Sequence, residues 1–138
     1  MNRSNFAAGI LALMGCLSLG AQSIRVTATI PFDFRVGKTL MPAGNYMVTH
    51  DAGVLWLKTN SGPRKAVNVL VRGTQKGSNG GKSNHIVFNR YGEDYFLSQV
   101  FQLGEPTGLE VPKGKIEKEM IAGRAAPVQT ASVNLRAQ

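Results

Sequence analysis

From Ile24 to Val36 apolar and polar side chains change places at almost every step. Ile24, Val26, Ala28, Ile30, Phe32, Phe34 and Val36 fall on one parity, and Arg25, Thr27, Thr29, Pro31, Asp33 and Arg35 on the other. A period of two over this length predicts a strand with one buried face. Pro31 lies on the wet face and has no N–H to give, so the segment is either an edge strand or two strands joined by a bend at the proline.

The same alternation returns further on. "GKTLMPAGNYMVTH" places Pro42 and Gly44 at turn positions, after which Tyr46, Val48 and His50 alternate with Met47 and Thr49. Phe32, Phe34 and Tyr46 read as core residues, since the two phenylalanines share parity with aliphatic positions. "HDAG" (residues 50–53) is a hairpin turn leading into "VLWLKT". "NSGPRK" is the next turn, and "AVNVLVR" puts Val67, Val69 and Val71 on one face. A polar, glycine-rich loop occupies residues 73–84, then "HIVFNRY", "GED" and "YFLSQVFQ" read as strand, turn, strand. Strands about ten residues apart with no helix between them predict an all-β fold. The expected form is a small antiparallel β-sandwich or barrel of about six to seven strands.

Beyond this β domain, taken as residues 22–112, the texture changes. Pro112 opens a short helix within 113–126, where Ile116, Met120 and Ile121 share a face and Gly123 closes the last turn. Residues 127–138 have little to bury and read as a flexible tail.

The amino terminus reads as an address rather than as structure. Arg3 is followed by an uncharged, mostly apolar run from Phe6 to Leu19 and by small residues at Gly20, Ala21 and Ser23. That order is the order of a secretory signal over residues 1–21, cleaved after Ala21 so that Gln22 begins the mature chain. The run is shorter than the roughly 20 residues of a spanning helix, so no membrane span is expected in the mature chain. "LMGC" offers an alternative, a lipoprotein box with Cys16 acylated and the protein anchored by lipid. Met14 and the apolar "LSLGA" after the cysteine argue for the ordinary cut. Cys16 is the chain's one cysteine, so cleavage after Ala21 leaves nothing for disulfides and stability must come from packing.

A chain of 138 residues with net charge +8 has room for one core and a basic surface. An anionic polymer or an envelope protein would suit this charge as a partner. The basic residues are dispersed along the sequence and form no dense run, which favours a solvated basic surface over a dedicated polyanion site and argues against a specific nucleic-acid site.

Candidate chemistry is thin. "GSNGGKS" has the composition of a phosphate loop, but Gly77 precedes Gly81 by one position too few and a strand pattern follows it. His50, Asp51 and Ser61 are the residue types of a nucleophilic triad, yet neighbouring strand residues point to opposite faces, and Asp51 is explained by its turn. His50 and His85 provide too few ligands for a metal centre. Glu93 and Asp94 sit in a solvated turn that does not separate two carboxylate pKa values. Trp56, Tyr91, Tyr95 and Phe101 are the weak candidates for a ligand-stacking strip on one sheet face. No catalytic, cofactor-binding or metal-binding residue is assigned.

"IPFDFRVGKTLMPAGNYMV" and "HIVFNRYGEDYFLSQVF" resemble the "PFDF-x-VG" start, "LPAG-x-Y" turn and "F-x-x-YG-x-x-YFL" hairpin of a family of small exported bacterial proteins of unknown function. Met41 stands where that pattern has leucine. The resemblance covers most of residues 28–102; it implies export and a β fold and transfers no catalytic residue. The expected function is that of an exported, periplasmic or extracellular, non-enzymatic module that binds or assembles at the cell envelope, with self-association through an edge strand as one route. The alternative is a carrier of a lipid or saccharide.

Overall fold

The computed structural model describes residues 24–75, 84–102, 107–123 and 128–137. In chain order the elements are β1 (Ile24–Ile30), β2 (Phe34–Val36), β3 (Thr39–Met41), β4 (Gly44–Asp51), β5 (Val54–Thr59), β6 (Ala66–Leu70), β7 (Arg72–Gln75), β8 (His85–Tyr91), β9 (Asp94–Phe101), β10 (Thr107–Glu110), α1 (Lys115–Ala122) and β11 (Gln129–Ala137). The signal, its cut at Ala21 and Gln22, and Cys16 lie outside the described residues, as does most of the glycine-rich loop.

The elements follow the alternation. Val26, Ala28, Ile30, Phe34 and Val36 are buried, as are Tyr46, Val48, Leu55 and Leu57. Turn chemistry sets the hairpins. Between β4 and β5 both central residues are left-handed, Ala52 at φ 48° and Gly53 at φ 78°, the pattern whose twist matches that of the flanking strands. Between β8 and β9 the two-residue turn is Gly92–Glu93.

Hydrogen bonding runs in the order β3-β2-β9-β8-β11-β1-β4-β5-β6. All of these pairs are antiparallel except β2 with β9, where Arg35 lies beside Phe96 in parallel. One edge of β9 is shared, with β2 at its start and β10 near its end. After Val71, whose N–H donates to the Gly53 carbonyl at 2.9 Å, the β6 strand continues as β7 and pairs with β10. The path thus bends back on itself into a nearly closed barrel. Where its ends β3 and β6 meet, the Lys65 ammonium donates to the Leu40 carbonyl. Ile30, Met41, Tyr46, Leu55, Leu57, Ile86 and Phe88 are completely buried and fill the interior as one cluster with Phe34, Leu97, Val100 and Leu135.

Several expectations are corrected. Among the described residues the sheet has 11 strands rather than six to seven. Part of the excess arises at Pro31, where the long first segment divides; β1 then lies between β11 and β4 and is not an edge. The chain bends at Pro31 because it must leave one part of the sheet and join another beside β9. The short polar strands β7 ("RGTQ") and β10 ("TGLE") carry too few apolar residues to announce themselves.

The largest correction concerns the tail. Gln129–Ala137 is not flexible but is a central strand, paired with β8 on one side and β1 on the other. Ala131, Val133 and Leu135 turn inward, with Leu135 only 6% exposed. Helix α1 forms inside 113–126 and stops at Gly123, whose N–H donates to the Glu119 carbonyl at 3.1 Å. Its most buried side chain is polar: Glu117 is 4% exposed, whereas Ile116 and Met120 are half-buried and Ile121 is 38% exposed.

Candidate binding face

The four stacking candidates do not form a strip. Tyr91 and Phe101 are buried. Phe101 stacks on His85 at 4.8 Å and lies so close to Gly108 that a Cβ there would meet its ring at 2.4 Å. Tyr95 stacks on Phe32 with centroids 3.8 Å apart, and the Arg90 guanidinium stands 5.4 Å from the Tyr95 ring centre. Trp56 alone is open to solvent, at 39% exposure, and it belongs to the opposite part of the sheet, between β4 and β6.

The triad-like residues are likewise separated. His50 pairs across the ladder with Leu55 and shares the parity of buried Tyr46 and Val48, while Asp51 is exposed beside the turn. Among the described residues no group of three or more His, Cys, Asp or Glu side chains converges as a metal site would require.

Under α1 lies a buried polar cluster that the sequence did not signal. The Tyr91 hydroxyl and the Asn89 amide each donate to Glu117 Oε1 at 2.9 Å. Burial, and then the bond to Glu117, push the Tyr91 hydroxyl up to about 12. Every donor has its acceptor, so the cluster fastens the helix to the sheet and leaves no polar atom of its own aimed at a ligand.

What the fold does assemble is on the outside. Along β11, β1, β4, β5 and β6 the side chains opposite in parity to the core make rows across the strands. One row runs Arg136, Thr27, Met47, Lys58, Ala66. The next runs Arg25, Thr49, Trp56, Asn68. A third begins with Thr29 and Asn45, whose side chains share a hydrogen bond of 2.6 Å. With strands ~4.8 Å apart and alternate residues ~6.7 Å apart along each strand, Lys58 lies next to Trp56 and Arg136 starts about 14 Å from Lys58.

Two further cations stand where β5 meets β6. The loop between them is held by Thr59, whose Oγ1 donates to the Pro63 carbonyl at 3.1 Å and accepts the Lys65 N–H at 2.9 Å. This fixes the backbone carrying Arg64 and Lys65. Met47, Lys58, Thr59, Asn60, Arg64 and Lys65 line a surface groove of about 510 Å³. A second groove of about 500 Å³, on the Pro42–Asn45 side, shares Arg64 and Lys65.

Among the described residues, salt bridges join only Arg72 to Glu110 and Lys115 to Glu119. Among the described residues, Arg25, Lys58, Arg64 and Arg136 therefore have no carboxylate within pairing distance, and the Lys65 ammonium is taken by the Leu40 carbonyl. Among the described residues, the one carboxylate whose strand position shares this face is Asp51, one step along β4 from Thr49 and so at the Arg25 end of the face. Cations that outnumber the single acid on the face raise a positive potential over it. Arg25 and Arg136 lie at opposite ends of the described chain, and only the β1–β11 pairing makes them neighbours. A linear reading sees them as dispersed. Comparison with family models, curated proteins and solved structures finds no match for this chain.

Proposed function

We propose that this protein is an exported, non-enzymatic binding module of the bacterial cell envelope that engages an anionic polymer through the outward face of β11-β1-β4-β5-β6. The observation that carries the reading is the gathering of Arg25, Lys58, Arg64 and Arg136 on one exposed surface, without a carboxylate partner among the described residues. Export is supported by the Arg3, apolar-run and Ala21 order of the amino terminus. A ligand met on the outer face also suits an interior already filled by side chains such as Tyr46, Phe34 and Phe88.

Exposed cations each contribute little to binding, about 0.2–1 kcal/mol, so recognition here is the sum of many weak contacts and falls as salt rises. A polymer, with charge repeated along its length, meets several of them at once.

Dextran sulfate binding to the purified protein at low salt tests this. The double reversal Lys58→Glu, Arg136→Glu is expected to weaken binding by at least about tenfold, or about 1.4 kcal/mol. The same change at Lys38 and Lys118, exposed on other elements, is expected to leave it within about twofold. Equal loss from both pairs, or no binding by the unaltered protein, would rule the face out.

A further inference from the structure

We infer, resting on the reading of this face as the ligand surface, that its ligand is an acidic polysaccharide, with Trp56 as the platform for a sugar ring and Lys58 and Arg25 as partners for its carboxylates.

Trp56 is the chain's single tryptophan. Its neighbours in the strand, Leu55 and Leu57, are completely buried, whereas the indole is turned to water at 39% exposure. A large aromatic left on the wet face forgoes the burial that the adjacent parity offers. Its backbone is paired on both sides, opposite Thr49 in β4 and Asn68 in β6, so the ring stands on a fixed base. Around it the face carries hydroxyl and amide side chains, Thr27, Thr49 and Asn68 among them, which both donate and accept. That combination matches a uronic-acid sugar: a C–H face to lie on the indole, hydroxyls to meet Thr and Asn, and a carboxylate for Lys58 one step along the strand or Arg25 in the same row.

Single-stranded nucleic acid is the competing polyanion. Its binders present several aromatic platforms for successive bases along a cationic track. Here one indole is surrounded by hydroxyls and amides, which favours the sugar.

Trp56 also reports on its own site, since all tryptophan emission comes from it. Titration with polygalacturonate oligosaccharides is expected to shift that emission, with uncharged dextran causing no change. By isothermal calorimetry, Trp56→Ala is expected to weaken polygalacturonate binding about tenfold, and Trp56→Phe by less, with circular dichroism unaltered in both. If oligothymidylate binds more tightly than polygalacturonate and with the same dependence on Trp56, the sugar assignment is wrong. If dextran sulfate binds and is lost in the Lys58, Arg136 double reversal while polygalacturonate does not bind or ignores Trp56, the face stands and the sugar inference falls. Failure of every polyanion to bind overturns both.

Discussion

Asp33 and Tyr46 make one corner of the barrel out of the stretch between the two prolines. An Asp33 carboxylate oxygen accepts the Ala43 N–H at 2.8 Å, and the Tyr46 hydroxyl donates to the Pro42 carbonyl. The Tyr46 ring meets the Phe34 ring edge-on at 5.2 Å. The aspartate, the two prolines' turn and the tyrosine thus serve one joint, which carries the chain from the β2–β3 hairpin back to β4 beside β1. Asp33→Ala removes a charged acceptor from the Ala43 N–H and is expected to cost about 1.5–3 kcal/mol in urea unfolding, while Asp33→Asn, which keeps an acceptor oxygen, costs less. Tyr91 gives a second prediction at this scale, in pH. Its hydroxyl is pushed up to about 12 in the folded protein, from 10.0, so at pH values between these the unfolded chain has lost the proton and the folded one retains it. The folded state binds more protons there, and stability must fall as pH rises. The contribution is intact below about pH 10 and is lost by about pH 12, on the order of 2–3 kcal/mol at 1.36 kcal/mol per pH unit. Tyr46, also raised by burial and by Asp33, acts in the same direction. Urea midpoints measured from pH 8 to 12 are expected to fall, and to fall less steeply in Tyr91→Phe; equal slopes would show that Tyr91 is not the group responsible.

Helix α1 shows how an element can be legible while its role is not. The sequence places it between Pro112 and Gly123, and it runs from Lys115 to Ala122, but its apolar residues do not announce that its most buried side chain is Glu117, by which the sheet holds it. Glu117→Ala would take from the Tyr91 hydroxyl and the Asn89 amide the buried acceptor they share, and is expected to cost about 1–3 kcal/mol. Glu117→Gln, which retains an acceptor oxygen, is expected to recover part of the loss, and hydrogen exchange should locate the effect in α1 and in β8. The β4–β5 and β8–β9 hairpins were readable because period-two alternation and turn residues lie within a few positions of one another. Strands β7 and β10 were not, since each is four residues long and holds its place through partners rather than through its own apolar content. The proposed binding face was hidden for a related reason. Its cations belong to separate strands, so their proximity exists only in the register of the sheet, and of the stacking candidates only Trp56 could be recognised as its member.

At the scale of the molecule, the position of β11 decides how the barrel holds together. In sequence "QTASVNLRA" looks sparse, because its inward residues are the small Ala131, the partly buried Val133 and Leu135, and because chain ends are so often loose. In space it is the stave between β1 and β8, pairing with β1 over residues Val26–Ala28 and with β8 from Asn134 back to Gln129. It also brings Arg136 to the row containing Lys58. Folding and the proposed recognition therefore share this strand. Without residues 128–138, β1 and β8 would each present an unpaired edge, Ile86 and Phe88 would lose cover, and the sheet would open along its middle rather than shorten at its end. Losing about two buried aliphatic side chains at 1.5–3 kcal/mol each, together with both ladders, consumes much of the roughly 5–15 kcal/mol that holds a domain of this size folded. A chain ending at 127 is thus expected to lack a cooperative urea transition and to self-associate through the freed edges, as size-exclusion chromatography would reveal. A dispensable tail predicts the reverse, an unchanged midpoint and a monomer eluting slightly later. Arg136→Ser in the full chain separates the two roles of the strand: it should preserve the unfolding midpoint while weakening dextran sulfate binding, because the side chain at 136 faces water and the pairing of the strand depends on the backbone.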